Sequence, residues 1–160
     1  ETYGFDWLLL IAQAYQESGL DQGARSVAGA VGVMQLLPST AADKNVGIPD
    51  VSTVDTNVHA GAKYMRFILD RYFAAQDLKP IDEHLFAFAA YNAGPARVRQ
   101  LRAEAAESGL DPDVWFDNVE RIAAQRIGRE TVQYVSNIFK YYLTYRRMAD
   151  LGRLEVGSAG

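Results

Sequence analysis

The chain contains no cysteine among its 160 residues, which excludes thiol catalysis, thiolate metal sites and disulfide bonds. No apolar run approaches the roughly 20 residues that a membrane-spanning helix requires, and a run such as Trp7 to Ala12 is far too short. The formal net charge of -4 leaves no basic stripe of the kind that binds nucleic acid. We therefore expect neither a nucleic-acid partner nor a membrane span in this chain.

Motifs of nucleotide and nucleophile chemistry are also missing, since the sequence has no P-loop, no dinucleotide fingerprint and no Gly-x-Ser-x-Gly turn. The two histidines, His59 and His84, have no histidine or carboxylate partner at a typical zinc-ligand spacing. We therefore expect no metal and no organic cofactor.

What the chain does contain is typical of one soluble globular domain, with 49% hydrophobic and 22% charged residues. It begins without an initiator methionine or a signal peptide, in the approach to a helix, so we expect a domain excised from a longer protein. Residues 1–150 are expected to form this domain. Residues 151–160 lack periodicity and are expected to form a flexible tail.

Apolar residues recur at helical spacing along most of the chain, which predicts a mainly α-helical fold with little or no β structure. The first helix, over residues 5–18, is expected to be central because apolar side chains lie on several of its sides. Gly19 can supply its left-handed C-cap, and residues 20–37 form a loop or a short strand. Asp55 and Asp117 are candidate N-caps of later helices. Those helices are predicted to begin near residues 38, 55, 82, 95, 117 and 129.

A carboxylate stands out at the end of the first predicted helix. Glu17 lies in its last turn, near the negative end of the helix dipole and beside apolar residues, and both surroundings disfavour the ionised form. We expect a raised pKa and a protonated general acid near neutral pH. The alternative that the helix pattern leaves open is a surface glutamate at a frayed end.

Several short motifs around Glu17 occur in an order that resembles the family 1 lytic transglycosylases, over about residues 5 to 146. The segment from Tyr134 to Tyr142 is most similar to the catalytic module of the membrane-bound lytic murein transglycosylase F subfamily. In that subfamily the module follows a periplasmic regulatory domain that resembles a solute-binding protein. The motifs are Glu17-Ser18, Ala28 to Gln35, Pro38 to Ala41, Ala90 to Gly94, Glu130-Thr131 and Tyr134-Val135.

The resemblance implies a goose-lysozyme-like fold that acts on peptidoglycan, in the periplasm, with a parent protein attached to the outer membrane. It implies cleavage of the β-1,4 bond between N-acetylmuramic acid and N-acetylglucosamine to a 1,6-anhydro product. Glu17 would act alone, as acid and then as base. The substrate's own acetamido group would stabilise the developing charge, which is an exception to the two-carboxylate scheme.

The same resemblance assigns sugar contacts to the loop that follows Glu17. It implies that Ser26 hydrogen-bonds the reacting sugar and that Met34 and Gln35 line the cleft with an apolar contact and an amide. Gly29 and Gly32 would let the backbone pass close to the saccharide.

Four residues of the later motifs complete the expected cleft. Tyr91 would offer its ring face to a pyranose, and the Asn92 amide would bind the N-acetyl group or hold Glu17 in place. Glu130 would contact substrate, although its place in a first helical turn also suits a favourable charge-dipole interaction. Tyr134 would reach toward the acid and the acetamido group.

Two other functions remain open on the sequence. One is a muramidase of the same fold that hydrolyses the bond with water, for which Asp21 is the first candidate base, although this residue also suits a loop turn. The other is a peptidoglycan-binding module without catalysis.

Overall fold

The protein is described here by a computed structural model that covers residues 2–74 and 77–152. The predicted mainly α-helical fold is confirmed. Within these residues, Arg25 pairs with Val31 and Val31 with Leu36 in isolated β-bridges, and there is no β-strand. The helices of this part of the chain are α1 (Trp7–Ser18), α2 (Pro38–Ala42), α3 (Val54–Tyr72), α4 (Pro80–Ala93), α5 (Pro95–Glu107), α6 (Glu120–Arg126) and α7 (Arg129–Asp150), with a π-helical turn at Trp115–Val119.

Helix α1 is capped at both ends and packs against α7. The Asp6 carboxylate accepts the backbone N–H of Leu8 at 2.9 Å, and the Tyr142 hydroxyl of α7 donates to the same carboxylate at 3.2 Å. Gly19 ends the helix with a φ of 65° and donates to the carbonyl of Tyr15, as predicted. The Tyr142 contact thus holds the start of α1 on α7, and the bond of Gly19 closes the last turn of α1.

The helix at the centre of the core is α4, not α1. Residues 85–90 are at most 1% exposed, as expected for a helix that is apolar on all sides. Phe86 packs edge-on against Trp115 with ring centroids 5.8 Å apart, whereas α1 leaves Trp7 and Tyr15 exposed. The prediction that α1 is central is therefore wrong, because its apolar residues do not surround the whole helix.

Two predicted N-caps are also wrong. Thr53, not Asp55, caps α3 through a capping box with Thr56, in which each side chain binds the other residue's backbone N–H. Asp117 has a φ of 60° inside the π-helical turn, and α6 begins at Glu120. In both cases the cap depends on backbone dihedral angles that a spacing pattern does not reveal.

The predicted tail is described only at Leu151 and Gly152, which form a turn after α7; residues 153–160 lie outside the described part. None of the helices in residues 2–74 and 77–152 has the length and apolar composition that crossing a membrane requires. Within the same ranges, no three His, Cys, Asp or Glu side chains converge as metal ligands would.

Candidate active site

Glu17 lies half-buried in the last turn of α1, against the N-terminal half of α7. The hydroxyl of Tyr134 donates to Glu17 Oε1 at 2.5 Å. Burial raises the pKa of Glu17 from 4.5 to about 7, and the hydrogen bond from Tyr134 opposes this shift without cancelling it. The predicted raised pKa is confirmed, so the carboxyl group can hold or release a proton near neutral pH.

Tyr134 is held from its other side by a residue that the sequence reasoning missed. Gln13, fully buried on α1, donates from Nε2 to the Tyr134 hydroxyl at 3.2 Å. Burial, as the largest cause, and the charge of Glu17, as the next, raise the pKa of Tyr134 well above its usual value, so the phenol keeps its proton. The sequence could have indicated this role, because Gln13 is a polar residue on an otherwise apolar helix and lies one turn before Glu17.

The site loop, residues 19–37, is held in place by the side-chain amide of one residue of α3. Asn57 is 0% exposed; its Oδ1 accepts the N–H of Met34 at 2.8 Å and its Nδ2 donates to the carbonyl of Val31 at 3.0 Å. Gln22 adds a second amide, which accepts the N–H of Val33 at 3.1 Å. These side-chain bonds add to the isolated β-bridges of Val31 in a segment that forms no regular strand.

Gly32 passes directly over these two amides. Its φ is 78°, and a Cβ at this position would lie 2.3 Å from Nδ2 of Asn57 and 2.8 Å from Oε1 of Gln22. Residue 32 is therefore glycine because neighbouring side chains leave no room for a Cβ, and the predicted close passage of its backbone to a saccharide stays a prediction. Gly29, with a φ of 87°, has open space where a Cβ would stand.

Replacing Asn57 with Ala is expected to lower the free energy of unfolding by about 3 kcal/mol, because it leaves the buried N–H of Met34 without a partner and removes one of the two hydrogen bonds to the Val31 carbonyl. Urea denaturation measures the loss. Asp55→Ala, an exposed change on the same helix, is the matched control and should cost less than about 1 kcal/mol. An Asn57→Ala loss as small as that of the control would show that the loop does not depend on this amide.

Tyr91 and Met34 meet beside Glu17. The Tyr91 hydroxyl donates to the backbone carbonyl of Met34 at 2.7 Å, and burial, followed by the charge of Glu17, raises the pKa of Tyr91 well above its usual value. The Met34 side chain is 0% exposed and packs on Gly61. Its predicted role as an apolar lining of the cleft is therefore corrected: Met34 lies beneath the surface and anchors the Tyr91 hydroxyl with its backbone.

Asn92 and Glu130 lie where α4 ends and α7 begins. The Asn92 side-chain oxygen accepts a hydrogen bond from the Thr131 hydroxyl at 2.8 Å, so this oxygen joins the two helices and makes no bond to Glu17. The predicted roles of the Asn92 amide, binding the N-acetyl group or holding Glu17, stay predictions. Glu130 is exposed in the first turn of α7, next to Thr131, and its contact with substrate stays a prediction.

Polar residues of the site loop bind mostly to the loop itself. Ser26 Oγ accepts the N–H of Ala30 at 3.0 Å, and Gln35 Nε2 donates to the carbonyl of Gly32 at 2.9 Å. Asp21 accepts the N–H of Gly23 at 2.7 Å in a loop turn and is exposed. The sugar contacts of Ser26 and Gln35 therefore stay predictions.

The structure thus brings together Glu17, Tyr134, Tyr91 and the backbone of Met34, around one carboxyl group that titrates near pH 7. A half-buried carboxyl group with a pKa near 7 and a fixed hydrogen-bond donor, on a helical scaffold, is the arrangement of a general acid or base.

Comparison with known proteins identifies the family. Residues 1–114 match the family model described as "Transglycosylase SLT domain", and the chain belongs to that family. Similar curated proteins are named membrane-bound lytic murein transglycosylase F. The one from Desulfosudis oleivorans is 33% identical over 89% of this chain, and the one from Shewanella woodyi is 38% identical over 87%. The resemblance that the motifs predicted is confirmed.

Two solved structures support the fold. The chain matches an inactive glutamate-to-glutamine mutant of the lytic transglycosylase Slt from Pseudomonas aeruginosa with a TM-score of 0.64 and 31% identity, over 93% of this chain and 23% of that one. It matches the 70 kDa soluble lytic transglycosylase of Escherichia coli with a TM-score of 0.68 and 27% identity, over 91% and 22%. The chain spans about a third of the length of the curated relatives, which is 33% for the first and 31% for the second.

Proposed function

We propose that this domain is a peptidoglycan lytic transglycosylase that cleaves the β-1,4 bond between N-acetylmuramic acid and N-acetylglucosamine without water. The observation that carries the proposal is the half-buried Glu17, whose pKa of about 7 and contact with Tyr134 suit a group that is first acid and then base. The names of the relatives supply the substrate class, since two of them are called murein transglycosylases.

In the proposed reaction, protonated Glu17 gives its proton to the glycosidic oxygen as the bond from that oxygen to C1 of the muramic residue breaks. The acetamido group of the same sugar stabilises the positive charge at C1. The Glu17 carboxylate then takes the proton of the C6 hydroxyl while O6 bonds to C1. The carboxyl group is protonated again, the product carries a 1,6-anhydro ring, and no water is consumed.

The remaining sugar contacts belong to the proposal as well. The loop residues Ser26 and Gln35 and the helix-end residues Asn92 and Glu130 are, by their exposure or partial exposure, available to hydroxyl and N-acetyl groups of a glycan. Tyr91 is half-buried and can present part of its ring. Met34 contributes through the carbonyl that holds the Tyr91 hydroxyl.

The relatives also suggest the setting of the whole protein. Because they are about three times as long and are named membrane-bound, we propose that the parent chain works in the periplasm, attached to the outer membrane. A regulatory domain resembling a solute-binding protein is proposed for the additional length. Glycan strands of peptidoglycan are the proposed partner of the site described here.

Mass spectrometry of the products from purified sacculi tests the reaction. We expect soluble muropeptides with anhydro ends, one water lighter than reducing ends, and no label from water enriched in heavy oxygen. Reducing ends that carry the label would instead establish a hydrolytic muramidase. Binding to sacculi without any release of muropeptides would establish a binding module.

A further inference from the structure

Gln13 is a buried polar side chain that the proposed reaction does not use. It is 0% exposed on α1, one turn before Glu17. Its Nε2 donates to the Tyr134 hydroxyl, while its Oε1 has no hydrogen-bond partner within the described residues. An unpaired buried oxygen destabilises a fold, so an apolar residue of similar length would serve packing better.

The position of this amide decides where the Tyr134 proton points. A phenol hydroxyl has one proton to donate and lone pairs that accept. Because Gln13 donates into the lone pair at 3.2 Å, the Tyr134 proton is free to lie on the 2.5 Å contact with Glu17 Oε1. A proton on Glu17 Oε1 would then face the Tyr134 proton across that contact.

We propose that Gln13 is a positioning residue that directs the Tyr134 hydroxyl proton onto Glu17 Oε1 and so reserves Oε2 for the proton that Glu17 exchanges with substrate. This inference rests on the proposed function of Glu17. It assigns to the amide a role that neither packing nor a substrate contact provides. The three groups form one chain, from the Gln13 amide through the phenol to the carboxyl.

The charges around the carboxyl give the direction of the expected effect. Among residues 2–74 and 77–152, the titratable groups that face Glu17 are Tyr134 on α7 and Tyr91 on α4. Donation from Gln13 lowers the pKa of Tyr134, against the larger upward effect of burial, and so makes the phenol a better donor to the carboxylate. Removing the amide should weaken that donation and raise the pKa of Glu17.

The experiment is a titration of Glu17 in Gln13→Met, followed by the NMR signal of its labelled side-chain carboxyl carbon and assigned with Glu17→Gln. We expect the midpoint to rise by about half a pH unit, since neighbouring hydrogen bonds strengthen one another by roughly 10–30%. In a Tyr134→Phe background the same substitution should produce no further rise. Leu9→Met, a buried change on α1, is the control and should leave the midpoint unchanged.

An unchanged midpoint in Gln13→Met, or an equal rise in the Tyr134→Phe background, would overturn the proposal. We expect Gln13→Met to unfold at a temperature no lower than the wild type, because it removes an unpaired oxygen. If it does not fold, Gln13→Leu is titrated instead, and failure of both to fold would show that the amide is structural and would also overturn the proposal. The titration needs no substrate, so inactivity toward sacculi would refute the proposed function alone.

Discussion

Glu17→Gln is expected to reduce the release of anhydromuropeptides from sacculi by at least about 10²- to 10⁴-fold, which is the usual contribution of a general acid or base. The amide keeps the shape of the side chain and can neither give a proton to the glycosidic oxygen nor take one from the C6 hydroxyl. Chromatography of soluble products measures the loss. Glu107→Gln, an exposed change at the end of α5, is the matched control and should retain activity.

The same substitution should leave the fold intact and alter the pH dependence of its stability. Because folding raises the pKa of Glu17 from 4.5 to about 7, the wild type loses stability as the pH rises through that interval. Glu17→Gln removes this loss. Its free energy of unfolding relative to the wild type should therefore be greater above pH 7 than below pH 4.5.

In the activity measurement, release of anhydromuropeptides by Glu17→Gln at a rate near that of the wild type would show that another group is the acid.

Tyr134→Phe is expected to move the alkaline limb of the pH-rate profile upward by about one to two pH units. A general acid must be protonated, so activity falls as the pH rises through the pKa of Glu17. The Tyr134 hydrogen bond lowers that pKa, and a hydrogen bond to a charged group contributes about 1.5–3 kcal/mol. Loss of the bond also frees the carboxyl to rotate, so the plateau rate should fall by roughly 10- to 100-fold.

Initial rates over a series of buffers measure the profile. Tyr141→Phe removes a hydroxyl from the same helix, where the Tyr141 ring packs edge-on against Tyr15, and serves as the control. Its profile should coincide with that of the wild type. A Tyr134→Phe limb that stays in place, or moves to lower pH, would mean that the phenol does not stabilise the Glu17 carboxylate.

The local part of this site could be predicted from the sequence. An apolar helix that ends in a carboxylate and a glycine already indicated an acid with a raised pKa, and the motifs around Glu17 indicated the family and Tyr134 as its neighbour. These properties depend on residues close in the chain or on recognisable patterns. The helices were predictable for the same reason.

The hydrogen bonds and packing that support the site could not be predicted, because they depend on contacts between segments that are not adjacent in the chain. Asn57 binds the site loop from α3, and Gln22 binds back to Val33 within the loop. Spacing marks neither position, and together these two amides explain why residue 32 is glycine. Met34 was expected on the surface because a motif gives the identity of a side chain without its direction. A role for Gln13 becomes visible only when its hydrogen bond to the Tyr134 hydroxyl is known.

The bond between Glu17 and Tyr134 joins groups 117 residues apart in the chain. A nascent chain that has emerged only as far as α6 already holds the acid but lacks the phenol and the helix that buries it. The shift in the pKa of Glu17 therefore arises late, when α7 docks onto α1. The proposed general acid is thus complete only when the whole domain has folded, and a chain that ends before α7 lacks the phenol that the proposed reaction requires.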